Sequence, residues 1–552
     1  MIQLLLGFPF KIVQYILLRS KCHCMKSYYC LFIYLMLFFS PADAQRLYDV
    51  RDFGASGIKS QIATKAIQRA IDVCAENGGG TVYLPPGDHL SGTIRLKDHV
   101  NLYLERGAVL FASQDTADYE VPYNIFKGNN PHQPVLIYAE SSQNIGIEGH
   151  GIIDGQARRE YDGLRGVDSF IERETENART AGVEMKMYYK IPPLVSLIYF
   201  VDCDLVNIAD VQIRESSSWT LHLQWCTKVN IKGIKLESSL EQGVNADGID
   251  IDGCQDVVIS DCIISTGDDA IVLKSTQTND RFENCENISV TNCVLTSTSS
   301  ALKIGTETFG DFRNILFNNC TIKNTNRGLG IIVRDGGSVS DVIFSNISMQ
   351  LDRKHFNWWG DADPFFLVVL KRNQDSKIGS IEHIQFKNII AHAQGSSKLT
   401  GFPGKPISNI SFSDVQIIMQ AEDQPDKRSS HALIARDVQK LQLDRVQIQW
   451  DDTETEENWQ SALFVENTDG LFVDGFLARQ GLRNGDAPVI NLQNVSNSVI
   501  RDSEASETVP VMIRISGANT RKIAINNLDL LGRSRQKVSI GPGAPLEEIL
   551  LK

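Results

Sequence analysis

Beyond its first 44 residues the sequence has no apolar run long enough to span a bilayer, and it has no basic patch. Lys and Arg number 54 against 67 Asp and Glu, and the resulting net charge of −13 disfavours nucleic acid as a partner. With only 17 Pro in 552 residues, 41 Gly and 42% hydrophobic residues, the composition excludes a disordered, collagen-like or coiled-coil chain. The Walker loop, the dinucleotide fingerprint, zinc-type Cys/His spacing and the nucleophile elbow are also missing, so those site classes are not indicated.

The N-terminal segment predicts export. A short apolar run between Lys26 and Ser40 ends in the small-x-small pattern of residues 41–45. This pattern indicates a signal peptide over residues 1–44, cleaved after Ala44, with a true start at Met25 and a misassigned extension before it. The alternative is a membrane anchor, but the run is shorter than the ~20 residues that span a bilayer. We therefore expect a secreted or periplasmic protein with no stable membrane span.

A short apolar triplet recurs along the rest of the chain, at intervals of about 23–31 residues in most cases, which is typical of solenoid coils. The triplets begin at Val206, Val229, Val257, Ile288, Ile315, Val342, Ile384, Ile410, Leu441, Leu471, Val499 and Ile523. Short alternating strands with Gly, Asn and Asp at the corners predict an all-β fold, a single-stranded parallel β-helix.

The first residues of the mature chain predict a cap for this solenoid. Ala63–Ala75 carries apolar residues at helical spacing and stops at Gly78-Gly79-Gly80, which predicts an amphipathic helix over the first coil. Strands are predicted at 81–84, 92–96, 100–104 and 108–111. No linker interrupts the chain, so we expect a catalytic β-helix over residues 45–395 and further coils or a C-terminal cap over 396–552, continuous with it.

Seven of the eight cysteines that follow residue 44 keep the same register. Cys203, Cys226, Cys254 and Cys285 each lie five residues before the end of their triplet, and Cys262, Cys293 and Cys320 each lie three residues after it. These positions should form two columns with neighbours about 4.8 Å apart, farther than the ~3.8 Å between the Cβ atoms of a disulfide. Buried free thiols are the favoured interpretation, and disulfides in an oxidising compartment are the alternative.

Acidic residues cluster on two consecutive coils, in Asn245–Asp250 and Thr266–Ala270. Pairing Ile249 with Ile271 puts Asp247 and Asp269 in one column, with Asp268 beside it. Carboxylates this close should raise the pKa of one of them. Hydrolysis of a glycosidic bond needs a protonated acid and a carboxylate base, with room for water. A Ca²⁺ site or a solvated turn is the structural alternative.

These motifs resemble the pectin-degrading glycoside hydrolases of family 28, the polygalacturonase group. The similarity runs from Tyr48-Asp49-Val50-Arg51-Asp52-Phe53-Gly54 to about Asn346, and it includes Gly149–Gly155, Ser218-Trp219-Thr220, Asn245-x-Asp247 and Gly267-Asp268-Asp269. The resemblance implies a right-handed β-helix and inverting hydrolysis of α-linked galacturonan or a related acidic polysaccharide, without a metal or another cofactor. It also implies that Asp268 is the acid and that Asp247 and Asp269 position the water.

Two family motifs are absent. Where family members have Gly-His-Gly this chain has Ser299-Ser300-Ala301, and where they have Arg-Ile-Lys it has Gly330-Ile331-Ile332. The register offers replacements: Lys303 lies in the column of the missing Arg, Lys274 in that of the missing Lys, and Arg327 in that of Asp247 and Asp269. We expect these three cations, together with Asn245, to bind an anionic substrate. The alternative is that the three cations pair with Asp250, Asp252 and the acidic cluster itself.

Two other functions stay open: a polysaccharide lyase with Ca²⁺ and an Arg or Lys base, and a catalytically inactive carbohydrate-binding β-helix. His222, in the column of Asp250, is interpreted as a structural histidine in preference to a catalyst. The segment His355–Asp361 contains Trp358 and Trp359, which either stack on sugar rings or form the core of their own loop.

Overall fold

The computed structural model describes residues 46–120, 134–157, 169–184, 193–354, 356 and 359–551. The chain divides into the units Met1–Arg46 and Leu47–Lys552, and every described strand and helix belongs to the second. The predicted signal peptide, with its start at Met25, and residues 355, 357 and 358 of the tryptophan segment lie outside the described residues. Within the described residues, no helix is both long and apolar enough to cross a membrane.

Parallel strands form three ladders, in which each strand pairs with the strands one coil before and one coil after it. The first ladder contains Leu47–Asp49, Gly80–Leu84, Val100–Leu104, Gln143–Gly149, Asp204–Ala209, Thr227–Lys232, Gln255–Ser260, Cys285–Thr291, Phe312–Asn318, Arg521–Asn526, Ile549–Leu551 and parts of Ser338–Leu351, Ser380–Ala393, Ile407–Met419, Val438–Trp450, Leu463–Asp474 and Ile490–Arg501. The second contains Gly87–Ser91, Ala108–Ala112, Ile152–Asp154, Gln212–Arg214, Lys235–Glu237, Ile263–Thr266, Val294–Ser297, Thr321–Thr325, Leu477–Ala478, Glu504–Ala505 and the ends of the first four long strands.

The third ladder carries the residues of the candidate site. It contains Ile94–Arg95, Val135–Glu140, Ser196–Val201, Leu221–Gln224, Ile249–Asp252, Ile271–Ser275, Ser300–Thr308, Arg327–Val333, Asp363–Val369, Ser397–Thr400, Leu433–Arg436, Val509–Ser516, Ser534–Ile540 and the first residues of Leu463–Asp474 and Ile490–Arg501. This arrangement is a parallel β-helix, as predicted, and the ladders run on past residue 395 to Leu551.

The repeated triplets are the inner strands of the first ladder. Val206 pairs with Val229, Val229 with Val257, and the register holds coil by coil to Leu471. The predicted triplet at Val499 is wrong by one residue, because Leu471 aligns with Ser498. Ser498 is buried: its hydroxyl donates to Ser496 O and accepts from Leu471 N, so a small polar side chain takes the place of the expected apolar one.

The corner between the first and second ladders is a single residue in the left-handed conformation. Asp261, Asn292, Asn319 and Asn346 adopt φ values of 58°, 57°, 54° and 55° there. Asn and Asp tolerate this conformation better than other non-glycine residues because their side chains bond locally. A polar residue between two apolar strands therefore marks each corner in the sequence.

Inside the coils the core is apolar and continuous. Phe317, Phe344, Phe386 and Phe412 stack in one column, with ring centroids 4.7–5.2 Å apart. All four are buried. Stacked rings at the spacing of the coils add aromatic contact energy to burial, which favours the parallel register.

Two α-helices lie outside the coils. The first, α1 (Thr64–Glu76), confirms the predicted cap and buries Ile67, Ala70, Ile71 and Cys74 against the first coil. Gly79 follows it at φ 100°, and a Cβ there would lie 2.5 Å from His99 O, so glycine is needed for the return into the sheet. The early strands match the prediction except that Gly87–Ser91 was missed and the strand expected at 92–96 is limited to Ile94–Arg95.

The second helix, α2 (Ser169–Thr180), belongs to a long connection between the second and third ladders. Glu174 is buried, and Arg428 donates from Nη2 and Nη1 to its two carboxylate oxygens over 3.0 and 3.2 Å. The connection thus contacts the coil that carries Arg428, 254 residues after Glu174 in the sequence.

The cysteine columns occur as predicted. Cys203, Cys226, Cys254 and Cys285 follow one another along the edge of the first ladder, and Cys226 N donates to Cys254 Sγ over 3.2 Å. All eight cysteines of the described chain are buried free thiols. Burial raises the pKa of the Cys226 thiol well above its ordinary range, which suppresses the reactive thiolate.

We predict that a chain beginning at Gln45 is inert to a thiol reagent such as Ellman's reagent when native and releases eight reactive thiols in denaturant. Burial and the raised thiol pKa are the physical reasons. Val258→Cys is the matched control, because Val258 lies on the outer side of Gln255–Ser260, is 45% exposed and should react in the native protein. Fewer than eight thiols in denaturant would instead indicate disulfides.

Candidate active site

The acidic cluster lies where two successive coils enter the third ladder. Ile249 pairs with Ile271 and Ile251 with Leu273, so the predicted register is confirmed and Asp247 and Asp269 stand in one column. Each of Asp247, Asp268 and Asp269 places one carboxylate oxygen within 4.8 Å of the others. Their exposed fractions are 2%, 6% and 1%, so the three acids converge in a nearly dry recess.

Glycines permit the close approach of the turns that carry these acids. A Cβ on Gly248 would lie 2.4 Å from Ala270 O, and a Cβ on Gly267 would lie 2.1 Å from Ser239 O. Asn245 has φ 60°, and its backbone N–H, at 3.0 Å, donates to Asp268 Oδ2. The structure therefore brings Asn245 to the cluster through its main chain.

Two lysines provide positive charge beside the acids. Lys274 Nζ lies 3.2 Å from both Asp247 Oδ2 and Asp250 Oδ1, and 3.7 Å from the centre of the Trp219 ring. Lys303 Nζ donates to Asp269 Oδ2 over 2.5 Å. Lys303 lies in the column assigned from the sequence, since it pairs with Gly330. The column assigned to Lys274 is interrupted, because the register shifts between Leu273 and Ser275. Both lysines pair with the acidic cluster.

Serines fill the place of the missing Gly-His-Gly motif. Ser299 Oγ and Ser300 N donate to Asp269 Oδ1 over 2.8 and 3.1 Å. With Lys303 on its other oxygen, Asp269 accepts three hydrogen bonds. These bonds stabilise the charged form of its carboxylate.

The environments of the three acids push their pKa values apart. Burial, reinforced by the neighbouring carboxylates of Asp247 and Asp269, raises the pKa of Asp268 to about 8. Burial also raises the pKa of Asp247, although Lys274 opposes it. For Asp269 the effect of burial is outweighed by Lys303, Lys274 and the hydrogen bonds, so its pKa lies below the ordinary value. Near neutral pH the cluster therefore holds both a protonated acid and an ionised one.

Arg327 stands in the predicted column but does not reach the acidic cluster. It pairs with Ser300 in register, yet its Nη2 and Nε donate to Asp363 Oδ2 over 3.1 and 3.2 Å. Its guanidinium lies 3.9 Å from the centre of the Phe366 ring. Arg327 is thus held on the outer face of the third ladder by the next coil.

Sequence reasoning missed Glu307. Its Oε2 lies 3.7 Å from Lys274 Nζ, and its pKa falls to about 2 because Lys274, then Arg372 and Lys303, outweigh burial. The register of the strand shifts between Leu273 and Ser275, so counting residues along the coil could not align Glu307 with Lys274. The only signal was an acidic residue near the end of the strand.

His222 is buried opposite Asp250, as its column predicted. Its Nε2 lies 3.1 Å from Asp252 Oδ2, and its ring stacks on Tyr199 and meets the edge of Trp219. This packing is that of a structural histidine beside the cluster.

The sequence was compared with protein families and curated proteins. A profile described as glycosyl hydrolases family 28 matches residues 74–432. The chain is 30% identical over 234 residues to a probable polygalacturonase of Vitis vinifera, covering 41% of this chain and 43% of that protein. It is 26% identical over 257 residues to an exo-poly-alpha-D-galacturonosidase of Dickeya chrysanthemi, covering 41% of each. The chain thus spans about two fifths of the length of these curated relatives.

Solved structures with the same fold include two exopolygalacturonases. That of Yersinia enterocolitica has a TM-score of 0.62 at 21% identity, covering 78% of this chain and 79% of its own. A hyperthermoactive one from Thermotoga maritima has a TM-score of 0.57 at 24% identity, covering 73% and 92%. Because the family profile matches well over half of the sequence, the chain belongs to glycosyl hydrolases family 28.

Proposed function

We propose that this protein is an exported glycoside hydrolase that cleaves α-linked galacturonan or a related pectic polysaccharide. The observation that carries the proposal is the convergence of Asp247, Asp268 and Asp269 in one recess, with Asp268 held protonated and Asp269 held ionised. Carboxyl groups whose pKa values are driven apart by their surroundings are the usual acid and base of a glycosidase. Family membership and the predicted signal peptide support the substrate class and the export.

In the mechanism that we propose, Asp268 donates its proton to the glycosidic oxygen as the bond to the leaving sugar breaks. Asp247 and Asp269 hold a water molecule and accept its proton as the water attacks the anomeric carbon. Lys303 keeps Asp269 ionised before the reaction, and Ser299 orients the same carboxylate. Lys274 bridges Asp247 and Asp250 and so balances the charge left in the recess.

The proposed stereochemistry is inversion, which the family resemblance implies. Inverting acids are usually about 6.5–9.5 Å apart. One oxygen of each acid lies within 4.8 Å of those of the other two, closer than that range, so inversion is proposed from the family resemblance and not from the separation of the acids. The anomeric configuration of the first product, read by NMR, checks this point, and retention would contradict it.

The substrate carboxylate is proposed to lie over Gly330. A Cβ at this position would lie 3.3 Å from Arg327 Cδ and 3.7 Å from Lys303 Cγ, so the residue without a side chain separates two cations. A uronate placed there would accept charge-assisted hydrogen bonds from both. Lys274 is 95% buried among Asp247, Asp250 and Glu307. We therefore propose that it pairs mainly with these acids and less with the substrate.

A lyase and a Ca²⁺ site are less well supported. Asp247 and Asp250 overcome the effect of burial and raise the pKa of Lys274 well above its ordinary value, so this lysine stays a cation and is unsuited to abstract a proton. Calcium in the cluster would have to lie beside two ammonium groups. Unsaturated products absorbing in the ultraviolet, or loss of activity on chelation, would contradict the proposal.

We predict that Asp268→Asn lowers kcat on polygalacturonate by about 10²–10⁴-fold, because the proton for the leaving group is lost. Release of reducing ends is the measurement. Asp261→Asn is the matched control, since Asp261 is an exposed corner residue and the next coils carry Asn292 and Asn319 in the same column. Equal activity of Asp268→Asn and the wild type would remove Asp268 from the mechanism.

The plot of activity against pH should have an acid limb and an alkaline limb, each caused by titration of carboxyl groups in the acidic cluster. Activity should fall as the pH rises through about 8, where Asp268 loses its proton, and it should fall on the acid side as Asp247, whose pKa is raised, and then Asp269 gain protons. Lys303 lowers the pKa of all three acids, so Lys303→Met should move both limbs to higher pH. Lys398→Met, which removes a cation further along the same column, should leave them in place.

We predict that Lys303→Ala and Arg327→Ala each raise KM for polygalacturonate, most strongly at low salt, because a charge-assisted contact to uronate is lost. Steady-state kinetics at two ionic strengths would measure this. If both variants kept the wild-type KM, these cations would serve only the internal ion pairs.

A further inference from the structure

A pocket of about 390 Å³ lies at the opposite end of the third-ladder strands from the acids. The connections that follow Ile271–Ser275, Ser300–Thr308, Arg327–Val333 and Asp363–Val369 form its walls. Lys274, Lys303 and Arg327 lie on three of these strands, so the pocket and the candidate active site share the same coils.

Two aromatic rings line this pocket. Phe282 is 44% exposed, and its ring centroid lies 6.2 Å from that of half-buried Phe309, with the planes tilted by 38°. Most phenylalanines of the described chain are buried, and an exposed ring leaves apolar area in water unless a ligand covers it. The negative face of an aromatic ring attracts the C–H bonds of a sugar ring.

A fixed guanidinium joins the pocket to the active site. Arg372 donates from Nε and Nη2 to the two oxygens of Asp335 over 2.7 and 2.9 Å, and from Nη2 to Glu307 Oε1 over 3.3 Å. Glu307 in turn lies 3.7 Å from Lys274 Nζ. Among the described residues no hydrogen bond engages Arg372 Nη1, and 31% of the side chain is exposed. One edge of a preorganised cation is therefore available to a ligand.

Lys377 adds a second cation on the rim. It is exposed, and within the described part of the chain it forms no ion pair. Gly336 lets the segment approach closely, because a Cβ there would lie 2.7 Å from Lys377 Cβ. The pocket thus combines an apolar ring face with the cations Arg372 and Lys377 and with the acids Asp335 and Asp375, of which Asp335 is paired with Arg372.

We propose that this pocket is a second sugar-binding site for the acidic polysaccharide. One face of a uronate ring packs on Phe282, and its carboxylate accepts hydrogen bonds from Arg372 Nη1 and Lys377 Nζ. The proposal rests on the proposed function for the class of substrate. It assigns substrate binding to residues outside the acidic cluster and the Gly330 position. The affinity for longer substrates would then depend on the pocket at the opposite end of the third-ladder strands.

The test measures binding of hexagalacturonate by calorimetry to the full chain carrying Asp268→Asn, so that no turnover occurs. Phe282→Ala in this background should raise Kd about fivefold, the effect expected for one lost aromatic contact. Lys377→Glu, an exposed charge reversal that leaves the core untouched, should raise Kd at least as much. Phe472→Ala is the matched control, because Phe472 is also exposed but lies on the outer face of the first ladder, and its variant should bind like the parent.

Unchanged Kd in both Phe282→Ala and Lys377→Glu would overturn the proposal, as would a parent protein that binds no hexagalacturonate. Failure of the proposed function is a separate result, namely no release of reducing ends by the wild-type protein. If the protein binds hexagalacturonate through Phe282 and Lys377 but does not hydrolyse polygalacturonate, the proposed sugar-binding site would stand and the proposed hydrolase function would be wrong.

Discussion

Parallel pairing between successive coils constrains everything else in this molecule. In a strand, neighbouring side chains point to opposite sides, so a slip of one residue would exchange the core for the surface along a whole coil. The register that stacks Ile249 on Ile271 is the one that leaves Asp247 and Asp269 outside and adjacent. The apolar core and the acidic recess are therefore specified by the same hydrogen bonds.

The recess concentrates charge that a fold would ordinarily avoid. Five carboxyl groups (Asp247, Asp250, Asp268, Asp269 and Glu307) surround the ammonium groups of Lys274 and Lys303. Buried charges are tolerated when they are paired and hydrogen-bonded, and the rigid coils hold these pairs in place without a flexible loop. The same burial that opposes ionisation keeps one acid protonated, so the electrostatic strain of the site and its chemistry have one origin.

The sequence was sufficient for the features that repeat. The inner triplets, the cysteine columns, the cap helix and the alignment of Asp247 with Asp269 follow from a nearly constant coil length, and the structure confirms them. Where the coil is irregular, counting fails. The shift between Leu273 and Ser275 concealed Glu307, and Ser498 replaced an apolar residue by satisfying its own hydrogen bonds. The partner of Arg327 was missed because Asp363 lies within the longest interval between triplets, from Val342 to Ile384.

The ion pair between Glu174 and Arg428 spans 254 residues of sequence. A chain made from its amino end completes α2 while the coil that carries Arg428 does not yet exist. The buried Glu174 carboxylate also accepts from Arg173 Nε of its own helix over 3.2 Å, and its two bonds to Arg428 can form only after that coil has been made. The contact between α2 and that coil is therefore completed late in synthesis. A chain truncated before Arg428 would lack the residue that binds α2, although α2 itself lies in the first third of the sequence.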